Sequence, residues 1–470
     1  MAWLVRRRDL EFHLSKTTNW VLIMREIKRD DSNYADHHAQ LTSRWRSALG
    51  RSDYDTGVII AGSEDYHFQD DQTVSYKPNP YLVQWLSPEY CSPGSVLVIK
   101  PDNHPIYYMN RPVDYWHTPS RTPEPFKDFI EIKEFEEEDS LRHELQRDLK
   151  GQRAACIGPT EEKNDFWGTI NPETVVNQLH FTRAIKTKYE IELIRIASSI
   201  GARGHNAAKR AFDEGHSEFG IHMAYLAASA QNESQLPYPN IIGINENAGI
   251  LHYQHQKRTK PELIHSLLID AGGSHQGYAS DITRSYSSLS GPSIFNDLLN
   301  AMQRHQDDLI ASVEVGGDFL KLHEQMHRQL NKILVESSLL NCSLDEASSI
   351  RASEYFCPHG LGHLLGIQVH DVGGLQIDAN GNNLNPPEHY SSLRFTRPIE
   401  EDQIFTIEPG IYFIPMLLDK LKKHSKLINW NAIEELLPYG GIRIEDNVRV
   451  LPTGVENLTR EAFDKVKLEG

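Results

Sequence analysis

Five residues of ligand type stand where charge is costly. Asp270 closes the apolar run Leu267-Leu-Ile269, and Asp281 lies in Tyr278-Ala-Ser-Asp-Ile-Thr-Arg284. His363 ends the glycine-spaced pair His359-Gly-Leu-Gly-His363. Glu408 precedes a Pro-Gly turn in Phe405-Thr-Ile-Glu-Pro-Gly-Ile-Tyr412, and Glu445 sits in the alternating Gly441-Ile-Arg-Ile-Glu-Asp-Asn-Val448. A carboxylate at the end of an apolar strand is destabilising unless compensated. Two on adjacent strands repel unless a cation or a shared proton lies between them, and Asp270 with Asp281 alone leave both options open. Together the segments offer four carboxylates and one imidazole. That donor set suits hard or borderline divalent ions, Mn²⁺ above all, with Co²⁺, Fe²⁺ or Zn²⁺ also admitted. Four carboxylates overcharge one divalent ion and neutralise two, which argues for a dinuclear centre. Singly, each segment has a plain structural explanation as a turn, a strand end or a glycine-rich loop. Five in turn, each on an apolar strand or tight loop, do not.

The elements that must position these groups follow from periodicity. Residues 266–270 read as a buried strand, 278–286 as a second strand carrying Asp281, and 367–369 as strand-like before His370-Asp371. Within 441–448 the period of two puts Arg443 and Glu445 on one face. Thr187-Lys-Tyr-Glu190 is a capping box opening a helix to about residue 212, and helices are expected over 217–231, 294–312 and 319–337. Upstream, helical spacing covers 35–49, and short apolar strands fall at 57–61, 95–99, 106–109 and 154–158. The acidic stretch 131–139 reads as a solvated face, and Asp114-Tyr-Trp-His117 as core or contact surface. The fold class is mixed α/β (α+β). An N-terminal extension over 1–29 is followed by a small α/β domain over 30–183 and a larger domain over 184–470. The extension shows no secretory signal, and Met24 is an alternative start.

The chain has 470 residues, 39% hydrophobic and 24% charged, with 48 basic and 65 acidic residues and a net charge of −17. This is a globular composition with no nucleic-acid partner expected. No apolar run approaches the ~20 residues of a membrane span. Cys91, Cys156, Cys342 and Cys357 lack metal or disulfide spacing and suit a reducing cytoplasm.

The segments IDAG…YASDITR, HGLGHLLGIQVHDVGG, FTIEPGIYF and GGIRIEDNV resemble the signature of the pita-bread metallopeptidases, most closely the bacterial Xaa-Pro dipeptidase (prolidase) group and the related organophosphorus acid anhydrolases. The likeness extends to Phe68-Gln-Asp-Asp71, Tyr76-Lys-Pro-Asn-Pro80, Pro112-Val-Asp-Tyr-Trp-His117 and the stretch from Tyr238 to Tyr253, and runs from about residue 30 to the C-terminus. It implies a catalytic domain with a curved antiparallel sheet flanked by helices. It implies that Asp270, Asp281 and Glu445 bind one metal and Asp281, His363, Glu408 and Glu445 the other. A bridging hydroxide would attack the Xaa-Pro carbonyl, with Glu408 as proton shuttle, His252 and His370 on the carbonyl oxygen and His359 lining the pocket. Arg394 would take the free C-terminal carboxylate. Arg443 would support Glu445 or face the substrate, Tyr238 would line the pocket, and Asp71 would act across a homodimer interface. His255 and His275 are left as surface residues. The expected activity is Xaa-Pro dipeptide hydrolysis, with organophosphate triester cleavage as a side activity. The long segment 413–439 and Arg394 favour this over an aminopeptidase P acting on longer peptides. A non-catalytic binding module would have to have lost ligands, and all five are present.

Overall fold

The protein is described from a computed structural model covering residues 31–159, 167–288 and 293–469; the extension and its alternative start lie outside them. Helix Asp31–Arg51 buries Tyr34, Leu41, Trp45, Ala48 and Leu49, a helical stripe laid on a six-stranded sheet. The strands are β1 (Thr56–Ile60), β2 (Val96–Ile99), β3 (Ile106–Asn110), β4 (Glu131–Phe135), β5 (Ala154–Ile157) and β6 (Thr169–Ile170), in the order β4-β3-β2-β1-β5-β6. β1 is antiparallel to β2 and parallel to β5. Ile59, Leu97 and Ile99 face the first helix, while Val58, Val96 and Val98 face Leu141 and Leu145 of helix Glu138–Asp148. Covered on both sides, these strands read as continuous apolar runs.

The acidic stretch 131–139 is not a merely solvated face. Its first half is β4, an edge strand parallel to β3, and its end opens helix Glu138–Asp148. Phe135 stacks on Tyr108 at 6.2 Å, and Lys133 reaches Asp148 at 2.8 Å. Charged residues are common on sheet edges, and here they masked the strand.

The capping box is present, with Thr187 N–H donating to Glu190 Oε2 at 2.8 Å, and it opens helix Lys188–Asp213. His37 of the first helix lies 2.8 Å from Thr187 Oγ1, and the Tyr278 hydroxyl donates to Glu190 Oε1 at 2.9 Å. Glu190 therefore ties both parts of the chain together. Burial alone would raise its carboxyl, but His37, the Arg44 and Lys186 charges and the Thr187 amide outweigh it and hold it at about 2. A folded pKa below the unfolded value of ~4.3 stabilises the fold above that pH and is lost as pH falls toward 2. Glu190→Gln is expected to cost on the order of 2–3 kcal/mol at pH 7. Urea unfolding of both proteins should show the gap narrowing steadily below pH ~4.3; a gap independent of pH would show that charge plays no part.

Beyond the junction come helix Glu218–Ser229, β7 (Ile241–Ile244), β8 (Ser266–Asp270), β9 (Ser274–His275), β10 (Tyr278–Ala279) and β11 (Thr283–Ser287). Helices Ile294–Ala311 and Phe319–Glu336 precede β12 (Ile404–Ile407), β13 (Gly410–Tyr412), β14 (Gly441–Arg443), β15 (Asp446–Val450), β16 (Val455–Asn457) and helix Leu458–Glu469. The antiparallel sheet is realised as short ladders, β11-β8-β7, β12-β15-β16, β13-β14 and β9-β10. A single bridge, Thr283 to Glu445, joins the first of these to the link between β14 and β15. The expected strand over 278–286 is broken around Asp281, and that over 441–448 around Glu445, because each chain changes pairing partner there. Residues 367–369 form bends, not a strand. Among the described residues no helix is long and apolar enough to cross a membrane.

Candidate metal centre

The ligand-type residues occupy ladder ends and the gaps between ladders. Asp270 is the last residue of β8, opposite Thr283. Asp281 lies between β10 and β11, its N–H held by Asn447 Oδ1 at 3.1 Å. Glu408 follows β12 and Glu445 precedes β15, with Glu445 N–H donating to Thr283 O at 3.0 Å. His363 arrives on a loop pressed against β12: Leu364 bridges Phe405, and His363 N–H donates to Thr406 Oγ1 at 3.1 Å. Glycine at position 362 permits this, since a Cβ there would lie 1.9 Å from the Thr406 carbonyl oxygen.

Asp281, His363 and Glu445 bring one donor atom each within 4.8 Å of one another, all buried. His363 Nδ1 is 3.0 Å from the Leu364 carbonyl, leaving Nε2 to face Asp281 Oδ2 at 3.4 Å and Glu408 Oε1 at 3.7 Å. The Tyr238 hydroxyl is 2.7 Å from Asp270 Oδ1 and 2.6 Å from Asp281 Oδ1. One hydroxyl has a single proton to donate, so a second proton or a cation must serve the other carboxylate.

Arg443 is bonded among the carboxylates. Its Nη2 donates to Asp270 Oδ2 at 2.6 Å, its Nη1 to the Tyr412 hydroxyl at 2.8 Å and its Nε to Thr283 Oγ1 at 3.1 Å. It reaches Glu445 only through Thr283, whose hydroxyl donates to Glu445 Oε2 at 2.6 Å. It is buried and engaged on all three nitrogens.

Burial pushes the Glu408 carboxyl up to about 7 and Asp270 to about 6, against the opposing charges of His363 and Arg443 respectively. Glu445 is raised by burial and by repulsion from Asp281. Asp281 goes the other way: burial opposes its charge, but the His363 hydrogen bond and charge win. Without metal the cluster thus retains protons, which a metal must displace. The donor set fits divalent ions: four carboxylates crowd a dry space with Arg443 and His363 to offset them.

A cleft of about 1210 Å³ opens onto Asp270 and Asp281 and is also lined by Tyr238, His252 and His370. The His370 ring stands 4.4 Å from that of His363. Burial, with the His363 and Arg394 charges, lowers its pKa to about 4; Arg394 is exposed and is not among the residues lining the cleft. His359 Nε2 meets the Tyr412 hydroxyl at 2.9 Å, and burial lowers this ring to about 4 as well. His275, expected on the surface, lines the cleft, and burial lowers it to about 4; His255 is exposed. Asp71 is exposed and outside the cleft of its own chain. Sequence reading missed Thr283, Thr406 and Asn447, whose side chains hold ligand-type residues, and Tyr412, whose hydroxyl meets Arg443 and His359. Their only signal was position beside those motifs.

Comparison with known proteins accords with this geometry. The sequence profile of metallopeptidase family M24 matches residues 192–452, and that of the Xaa-Pro dipeptidase N-terminal domain matches 32–181. The chain belongs to metallopeptidase family M24, whose members hold divalent metal. Among similar proteins, the Xaa-Pro dipeptidase of Aeromonas hydrophila is 42% identical over 436 residues, 91% of this chain and 98% of that protein. That of Xanthomonas oryzae is 41% identical, over 92% and 98%. The low-pH form of aminopeptidase P from E. coli superposes with a TM-score of 0.70 at 22% identity, covering 92% of this chain and 97% of that one. It shares the pita-bread fold.

Proposed function

We propose that this chain is a dinuclear metal-dependent dipeptidase that hydrolyses Xaa-Pro dipeptides. The observation that carries the reading is the buried convergence of Asp281, His363 and Glu445 beside a cleft lined by Tyr238, His252 and His370. The similarity to Xaa-Pro dipeptidases over nearly their whole length supports the substrate class. Asp270, Asp281 and Glu445 would hold one ion and Asp281, His363, Glu408 and Glu445 the other, with Mn²⁺ the best match to the donor set and Co²⁺, Fe²⁺ or Zn²⁺ admitted. Two such ions supply Lewis acidity and make water a nucleophile near neutral pH.

The chain's own groups do the rest. Glu408 takes a proton from the attacking water and hands it to the departing proline nitrogen. His252 and His370 hydrogen-bond the carbonyl oxygen as charge develops on it, and His359 with Tyr412 closes the wall beside Glu408. Arg394 pairs with the free C-terminal carboxylate, for which a guanidinium fork is suited. Asp71 and the exposed Tyr66, Phe68, Tyr115 and Trp116 support a homodimer in which Asp71 reaches the partner's cleft; sedimentation measures this directly. The free cysteines accord with a cytoplasmic setting. The same centre would also act on organophosphate triesters as a side activity.

The test is activity on Leu-Pro and Leu-Pro-Ala after chelation and Mn²⁺ restoration. Restored protein is expected to cleave Leu-Pro and to prefer it by about 10- to 100-fold, the worth of one charge-assisted contact to the terminal carboxylate. Intact Leu-Pro in the presence of metal-loaded protein would overturn the assignment. Equal or better cleavage of the tripeptide would move it to an aminopeptidase.

A further inference from the structure

Asp371 follows His370 but points away from the cleft into the junction between the two parts of the chain. Its carboxylate pairs with Arg183 Nη2 at 2.7 Å and accepts from Lys186 Nζ at 2.9 Å, and all three side chains are at most 2% exposed. Arg183 ends helix Glu173–Arg183, lies over the Tyr81 ring at 5.3 Å and donates to Gln368 Oε1 at 3.2 Å. Lys186 is fixed twice more: its Nζ donates to Arg183 O and its N–H to Asp402 O, both at 2.9 Å. On the loop side, Asp371 N–H closes back on Leu364 O at 2.9 Å, and the carboxylate packs so tightly on Gly366 that a Cβ there would lie 2.2 Å from Oδ2. The residues between His363 and His370 are thus wrapped around one buried carboxylate anchored from outside the centre.

Two cations face the Asp371 carboxylate, with the Glu190 charge acting on both of them, in a dry place. An apolar trio of similar volume would serve stability as well or better. What this arrangement supplies is a fixed direction.

We propose that Asp371 is a positioning residue for His370, clamped by Arg183 and Lys186 so that the domain junction sets where the imidazole meets the substrate. The proposal rests on the dipeptidase reading for the role of His370. Misplacement by ~1 Å can cost about 100-fold in rate.

The experiment uses the metal-loaded enzyme with Asp371→Asn, His370→Ala and the double substitution. Asp371→Asn is expected to lower kcat on Leu-Pro by about 10- to 100-fold with KM and metal content little changed, and to cost nothing further in the His370→Ala background. Equal losses in both backgrounds would make Asp371 merely structural and overturn the proposal. Arg183→Lys, which keeps the charge and loses the fork, is the second variant should Asp371→Asn not fold, and the same dependence on His370 is expected. Independently of activity, the imidazole resonance that vanishes in His370→Ala should shift in Asp371→Asn or Arg183→Lys while that of His252 stays. An unmoved resonance overturns the proposal. A shifted one in a protein inert on Leu-Pro overturns the dipeptidase reading alone.

Discussion

The Asp281→Asn variant is expected to lose at least about 10³-fold in kcat/KM on Leu-Pro, roughly 4 kcal/mol of transition-state stabilisation. Asparagine keeps the size and one oxygen of the side chain but removes the charge that faces His363 Nε2 and one acceptor beside the Tyr238 hydroxyl. The backbone at this position is held by Asn447, and Ala271 N–H bonds Ile282 O at 3.0 Å, so the gap between β10 and β11 should keep its shape. The loss is therefore chemical. Stability supplies the contrast: without metal, Asp281 adds to the repulsion on Asp270, Glu408 and Glu445. In the metal-free variant the relief of that repulsion is set against loss of the His363 contact that holds the Asp281 carboxyl down, so it should melt close to metal-free wild type while binding less metal. Kinetics, metal analysis and thermal melts read all three. Activity within tenfold of wild type would remove Asp281 from the centre.

Glu408→Gln should lower kcat by about 10²- to 10⁴-fold, the usual worth of general acid–base catalysis, with a smaller change in KM. Glu408 is the most accessible carboxylate of the group, its side chain 17% exposed, and its two oxygens face His359 Nδ1 and His363 Nε2, each at 3.7 Å. Glutamine fills the same space and accepts from Thr406 but carries no transferable proton. A pH–rate limb present in wild type and absent from the variant would identify the group; an unchanged profile would assign the proton transfer elsewhere.

The ligand-type residues were legible as a set because five in turn interrupt apolar patterns, although each alone has a plain structural explanation. The strands of the first sheet were legible for the converse reason, being apolar on both faces. β4 was not, because an edge strand carries charge and its periodicity looks like a solvated run. Nor was the break at Asp281, since change of pairing partner depends on residues far along the chain, such as Glu445 and Asn447. Only part of the Arg443 environment was legible, for the same reason. Period two placed it beside Glu445, but the contact that matters crosses to Asp270 on β8. The part of the site built by long-range pairing is what local pattern leaves out.

The ladders are complete without the residues that lie in their gaps. Pairing ends with Asp270 itself and resumes at Thr283 beyond Asp281; it breaks at Glu408 between β12 and β13 and again at Glu445 between β14 and β15. Architecture and chemistry are thereby separately inherited. A descendant could exchange every ligand for a neutral side chain, relieve a crowd of like charges in doing so, and keep its strands, its cleft and its shape. Such a fold is free to outlive its reaction and to be put to recognition instead.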